Sequence, residues 1–350
     1  MRRENLKLQK IIGLLLVLFI LNAMGCKGSK SSAVASVNNS EQGQYETIEI
    51  RYQGTINEVR PFELAEDLGY LAPLKLKWIG NMISGPQDIQ TTQTNETDVG
   101  IAFMSAVINL KAANGTLIGV IGATGSDRQR SSSLVVLDNS PIISGKDLIG
   151  KTIGVNTLAA ASEVYIKNYL VKEGLVPEEI EKVELVIIPP VSMEQALRSK
   201  QIHGVQMSGL VKDKALESGG LRIIFSDVDL FGDNTNNVYV IRKSFADQNS
   251  NTVRKFVEAT AKAVEWSKTT PIEEVRERMK SIIKKRDRDE DLNVTNYFKS
   301  YGLQSKGGLL YDRDLQVWID WLVKQGDLKE GQIKPSDIYT NEFNPYNDQK

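Results

Sequence analysis

Asp98-Val99-Gly100-Ile101-Ala102-Phe103-Met104-Ser105-Ala106-Val107-Ile108-Asn109-Leu110-Lys111-Ala112-Ala113 is the stretch whose reading decides the fold. Residues 99–103 form a short apolar run with the length of a strand, and residues 105–113 carry apolar side chains at helical spacing. Only Met104 separates the two. A strand that feeds directly into a helix is the repeating unit of an α/β chain with a largely parallel sheet.

The unit recurs in both directions. Strands are expected over 48–53, 74–79, 99–103, 117–123, 134–137, 152–155, 183–188, 203–207, 222–225 and 238–241, and helices over 61–68, 86–94, 105–113, 159–173, 193–198 and 211–217. Pro61 and Pro86 stand where helix starts tolerate proline, because the amide hydrogen it lacks would be unpaired there anyway. Gly174 follows the 159–173 helix as a helix-ending glycine should. From about residue 251 the alternation stops, and helices are expected over 251–268, 271–285, 294–301 and 313–325. Val253, Phe256, Val257, Thr260, Ala263 and Val264 show the helical period. Trp266, Trp318 and Trp321 read as packing residues, and no internal repeat is visible.

The N-terminus has a different logic. Arg2, Arg3, Lys7 and Lys10 precede an apolar run from Ile11 that ends in small residues, as in an export signal, and the run is too short to span a membrane. Ala23-Met24-Gly25-Cys26 is similar to a bacterial lipobox, which implies cleavage before Cys26 and acylation of its thiol. Residues 26–45 are rich in Ser, Asn, Gln, Gly and Lys and too poor in large apolar side chains to fold, so they read as a tether.

Composition excludes several classes. The chain has 43 basic and 44 acidic residues, interspersed rather than clustered, which argues against a nucleic-acid partner. The mixed run Lys280-Ser281-Ile282-Ile283-Lys284-Lys285-Arg286-Asp287-Arg288-Asp289-Glu290-Asp291 reads as a solvated helix end. With its one cysteine assigned to lipid, the body has no thiol for disulfides or metal, and a single histidine, His203, cannot make a zinc cluster. His203 reads as a partly exposed residue at a strand start, and no metal or cofactor is expected.

The region from Ile48 to Ile241 resembles the type II periplasmic-binding fold, specifically the substrate-binding lipoproteins of nitrate-, sulfonate- and taurine-type ABC importers. The resemblance rests on the joint order of Ile50-Arg51-Tyr52-Gln53-Gly54, Leu64-Ala65-Glu66-Asp67-Leu68-Gly69-Tyr70-Leu71, Ser84-Gly85-Pro86-Gln87-Asp88, Asp98-Val99-Gly100-Ile101-Ala102, Asp147-Leu148-Ile149-Gly150-Lys151-Thr152-Ile153-Gly154-Val155 and Tyr339-Thr340-Asn341-Glu342-Phe343-Asn344-Pro345. It implies an α/β, two-lobed fold with a C-terminal helical extension: residues 46–137 plus 238–350 as lobe one, 138–237 as lobe two, and crossovers at 134–137 and 238–241. It also implies a monomer, lipid-anchored outside the cytoplasmic membrane, that passes a small organic anion to a permease and ATPase complex. A pyrimidine precursor of thiamine, a biosynthetic enzyme on the same fold, and a lipoprotein that presents its ligand to a sensor stay open as alternatives.

In open α/β sheets ligands sit beyond the carboxyl ends of strands, where helix N-termini present amide hydrogens. Gln53, Gly54, Thr55, Ser84, Gly85, Ser105, Thr124, Ser126, Asn156, Thr157 and Ser208 occupy those turns and are the candidate ligand-binding residues, with Arg51, Arg60 and Arg128 as candidate charge partners. Each turn residue taken alone could equally be a helix cap. None of these donors titrates between about pH 6 and 9, so binding is expected to be flat there. Ser208-Gly209-Leu210 replaces the Trp-Glu-Pro usual in such proteins, which points to a ligand bulkier or more anionic than taurine. No acid–base pair or nucleophile is evident at the strand ends.

Overall fold

The computed structural model describes residues 44–158, 160–286 and 288–348. The expected export signal, Cys26 and all but the last residues of the tether lie outside the described residues, as does Ala159.

The ten expected strands are all present: β1 (Glu49–Gly54), β2 (Lys75–Asn81), β3 (Val99–Phe103), β4 (Leu117–Ser126), β5 (Ser132–Leu137), β6 (Thr152–Val155), β7 (Glu184–Ile187), β8 (Gly204–Ser208), β9 (Leu221–Ser226) and β10 (Asn234–Arg242). The helices are α1 (Pro61–Asp67), α2 (Gly85–Gln93), α3 (Met104–Ala112), α4 (Ala161–Lys172), α5 (Pro177–Ile180), α6 (Met193–Arg198), α7 (Gly209–Glu217), α8 (Asp227–Phe231), α9 (Lys243–Gln248), α10 (Ser250–Thr269), α11 (Ile272–Lys285) and α12 (Asp312–Gln325). The short α5, α8 and α9 escape a periodicity reading because each is under two turns long. In α8 the signal is instead a capping box, in which Ser226 accepts from the amide of Asp229 and the Asp229 carboxylate accepts in return.

β1 and β2 pair in parallel, β10 lies antiparallel between β3 and β4, and a five-stranded sheet runs in the order β7-β6-β8-β5-β9. β6 is parallel to β7 and β8, and β5 is antiparallel to β8 and β9. This corrects the expected crossovers. Residues 134–137 form the body of β5 inside the five-stranded sheet, and residues 238–241 are the middle of β10. Leu134, Val135 and Val136 are fully buried, as befits a strand covered on both faces rather than a linker. The chain passes between the sheets through residues 127–131 and returns after α8.

α10 buries Val253, Phe256, Val257, Thr260, Ala263 and Val264 against α1 and the first sheets, which confirms the period read from sequence. α12 works differently. Its Trp318 is completely buried, with ring centroids 4.7 Å from Phe103 of β3 and 4.8 Å from Phe231 of α8, so one indole joins elements attached to both sheet groups. Trp266 and Trp321 pack at the margins of the two larger apolar clusters.

The expected helix over 294–301 does not form. Residues Leu292–Tyr297 make a 3-10 turn started by the Asp291 carboxylate, which accepts from the Asn293 amide, and residues 298–304 have no regular structure, with Gly302 at φ +70. Asn293, Val294, Thr295 and Asn296 are all weak helix formers. The carbonyl of Phe298 is instead claimed by the Arg276 guanidinium at 2.9 Å.

Candidate functional site

β1 ends at Gly54 and hands the chain to Thr55, and five residues later Arg60 caps the N-terminus of α1. Pro61 at the first helical position fixes the backbone, and Glu63 accepts from the Arg60 amide at 2.9 Å. Arg60 is only 3% exposed. Its Nε and one terminal nitrogen donate to Thr55 Oγ1 at 3.3 and 3.0 Å, which holds the guanidinium plane in place. The other terminal nitrogen has no hydrogen-bond partner and lies 3.9 Å from Asp88 Oδ2.

Asp88 comes from the first turn of α2 and is completely buried. Its Oδ2 accepts from the amide of Ile101 at 2.7 Å, whereas Oδ1 has no partner. Burial outweighs the pull of Arg60 and lifts its pKa to about 6. Tyr239, in the middle of β10, is also fully buried, its hydroxyl is unpartnered, and burial pushes its pKa far up. An unmet buried group costs about 1–3 kcal/mol and more when charged, so three at one place form a concentrated capacity to bind something polar.

Arg60 and Tyr239 line a cavity with about 50 Å³ of free space. Three walls close it. The first is Thr55, Arg60, Thr124 and Tyr239 from the β1 and β10 sheets; the second is the start of α7 with Arg130; the third is residues 295–301. Arg130 faces Glu58 at 3.5 Å across the first two walls. Gly209 sits there at φ +60, a left-handed backbone that glycine adopts without strain, with Glu58 and Arg130 at ordinary contact distance from where a Cβ would stand. Phe298 and Tyr301 give the third wall an aromatic face, and the Tyr301 hydroxyl donates to the Val59 carbonyl at 3.0 Å.

Of the residues expected from sequence, the cavity gathers Thr55, Thr124 and Arg60. The others fall elsewhere. Arg51 is bonded through two nitrogens to Asp98, at 3.0 and 2.7 Å, so its charge is already met. Arg128 is exposed. Gln53 is half-buried with an unmet Oε1, and Gly54 is overlaid by Arg288, whose guanidinium stacks 4.1 Å above the Trp78 ring. Ser84 and Gly85 start α2, the helix that carries Asp88, but the Ser84 side chain makes no cap bond.

Ser105 lines a separate groove of about 270 Å³ between α3, α4 and α12. Ser126 donates to Asp227 at 2.5 Å and accepts from Asn236, in a buried network at the passage between the sheets. Asn156 accepts from Ser162, Thr157 bonds the neighbouring carbonyl of Leu158, and Ser208 is exposed at the start of α7. His203 is exposed, and its Nδ1 accepts from the Thr152 amide.

Sequence reasoning missed Asp88, Arg130, Tyr239 and the 295–301 wall. A tyrosine between Val238 and Val240, in the short apolar stretch of β10, was the one local signal; the rest depends on contacts distant in sequence.

With this geometry in view, the chain can be set beside known proteins. The model of the family described as NMT1/THI5 like matches residues 58–274. No curated protein matches by sequence. Among solved structures, the periplasmic aliphatic sulphonate binding protein SsuA from Escherichia coli superposes with a TM-score of 0.63 at 18% identity, over 83% of this chain and 91% of that one. The periplasmic nitrate-binding protein NrtA from Synechocystis PCC 6803 gives 0.66 at 11% identity, over 85% and 88%. The desulfurization enzyme DSZB gives 0.57 at 15% identity, over 85% and 97%. At these identities the likeness establishes the two-lobed periplasmic-binding fold, which carries both binding proteins and an enzyme.

Proposed function

The chain belongs to the NMT1/THI5-like family, and from that premise we propose that it is the substrate-binding component of an ABC importer that captures a small organic anion of the sulfonate, taurine or nitrate class. The observation that carries this reading is Arg60: a buried guanidinium, held in place by Thr55, with one nitrogen that has no hydrogen-bond partner, on a residue that lines the same cavity as Tyr239. An oxyanion accepts from both donors. Charge-assisted hydrogen bonds of this kind are roughly twice as strong as neutral ones.

Cavity size favours a small ligand. Free space of about 50 Å³ compares with the roughly 150 Å³ of an engineered cavity that admits benzene, so an aromatic ring would require the walls to move. The aromatic face of Tyr239, Phe298 and Tyr301 supports a second reading, a pyrimidine precursor of thiamine, and only that observation favours it. Binding is proposed rather than catalysis, because the carboxylates at the cavity, Glu58 and Asp213, are already engaged by Arg130 and Lys299.

In this reading the lobes meet at residues 127–131 and in the return after α8, the chain acts as a monomer outside the cytoplasmic membrane, and acylated Cys26 holds it there beside a permease and ATPase complex. Calorimetry with methanesulfonate, taurine, nitrate and a hydroxymethylpyrimidine tests the proposal. Submillimolar binding of an anion that is lost in Arg60→Gln supports it; tight binding of the pyrimidine alone, insensitive to Arg60, replaces it with the second reading.

A further inference from the structure

The mixed charged run at the end of α11 reads from sequence as a solvated helix end, yet its continuation crosses the molecule. Asn57 donates its amide to Glu290 Oε1 at 2.7 Å and accepts from the Asp291 amide at 2.8 Å, which ties the segment to the β1–α1 loop. Val294, Thr295, Phe298 and Tyr301 are buried, the last two within the apolar cluster of the first sheets. The outer side chains reach the other way. Asp291 meets Lys214 Nζ at 2.8 Å, Lys299 meets Asp213 at 3.2 Å, and the Tyr297 hydroxyl donates to Glu217.

Asp213, Lys214 and Glu217 all belong to α7, which packs on β5, β8 and β9 of the five-stranded sheet. The segment therefore presents acid, phenol and base to base, acid and acid in matching order. The same residues 295–301 form the third wall of the cavity.

We infer that residues 290–301 are a charge-held strap, rooted beside the first sheets, which closes the cavity by clasping α7. The inference rests on the cavity being the ligand site but not on the ligand's identity. The Asp291–Lys214 pair is exposed at both ends and the Lys299–Asp213 pair at its lysine, and such contacts are individually weak and screened by salt, as a reversible fastening requires. A strap welded by apolar packing at both ends would not release a ligand; here Leu210 is the α7 side chain that joins the apolar cluster of Phe298 and Tyr301, and the other named α7 contacts are polar.

Thiol labelling tests it without any ligand. In a Cys26→Ser background, Thr124→Cys places one thiol on the cavity wall, and its rate of reaction with N-ethylmaleimide reports opening. Lys214→Glu should speed labelling about five- to tenfold, the scale of one exposed pair turned from attractive to repulsive, and 0.5 M salt should speed it in the unreversed strap. Lys214→Glu with Asp291→Lys should restore the slow rate. Hydrogen exchange of the 290–301 amides should follow the same order, with the circular dichroism unchanged. Equal labelling rates in all three variants, or a swap that fails to restore protection in a folded protein, overturns the strap. Calorimetric binding that still depends on Arg60 in those variants would leave the anion reading intact.

Discussion

Arg60 and Asp88 share one buried electrostatic account. If Arg60 holds the anion as proposed, that anion competes with the Asp88 carboxylate, whose pKa stands at about 6, so protonating Asp88 removes a repulsion and frees the full charge of Arg60. Thr55 Oγ1 and Met82 Sδ beside Arg60, the Ile101 amide on Asp88 and the nearby Tyr239 surround this pair, and none changes charge below pH 9. Affinity should therefore be flat only above about pH 7 and rise as pH falls toward 5, which calorimetry across that range would measure; Asp88→Asn should abolish the slope. Removing the cation itself should cost more: Arg60→Gln is expected to weaken binding by about 2–3 kcal/mol, since it deletes a charged hydrogen bond and leaves Asp88 buried without its partner.

The same carboxyl affects stability. A raised folded pKa means that the folded state binds the proton more tightly, so the Asp88 contribution is most favourable below about pH 4, declines as pH rises toward 6 and is level above. Urea unfolding of wild type and Asp88→Asn should diverge with rising pH through that window, by at most about 3 kcal/mol.

Among the elements, α12 and α7 carry the clearest consequences. Trp318 fills the space between β3, α4 and α8, and no smaller side chain reaches all three, so Trp318→Ala should cost about 3–5 kcal/mol in denaturant unfolding. At the start of α7, Ser208 is exposed whereas Gly209 lines the cavity. Ser208→Ala should leave affinity unchanged within error, but Gly209→Val should impair binding, because a branched side chain is strained at φ +60 and projects toward Glu58 and Arg130. Titrating both variants with the preferred anion separates the two roles.

For the whole molecule, binding between walls from different sheets should favour the closed arrangement, and small-angle scattering should give a smaller radius of gyration with ligand than without. The alternation of apolar runs with helical periods was enough to place all ten strands, because each strand and helix records its burial pattern locally. Arg60 and Thr55 were legible for the same reason: they occupy one turn between β1 and α1. The sequence also fixed the absence of thiols from the body and the apolar stripe of α10.

What tertiary structure alone decided is which elements meet. Residues 134–137 looked like a crossover until pairing put β5 between β8 and β9, and Arg60, Tyr239 and Phe298 line one cavity although they are far apart in the chain. The 290–301 segment shows the cause most plainly. Its local propensities and charges describe a frayed helix end, and only the complementary charges of α7, remote in the chain, turn it into a wall.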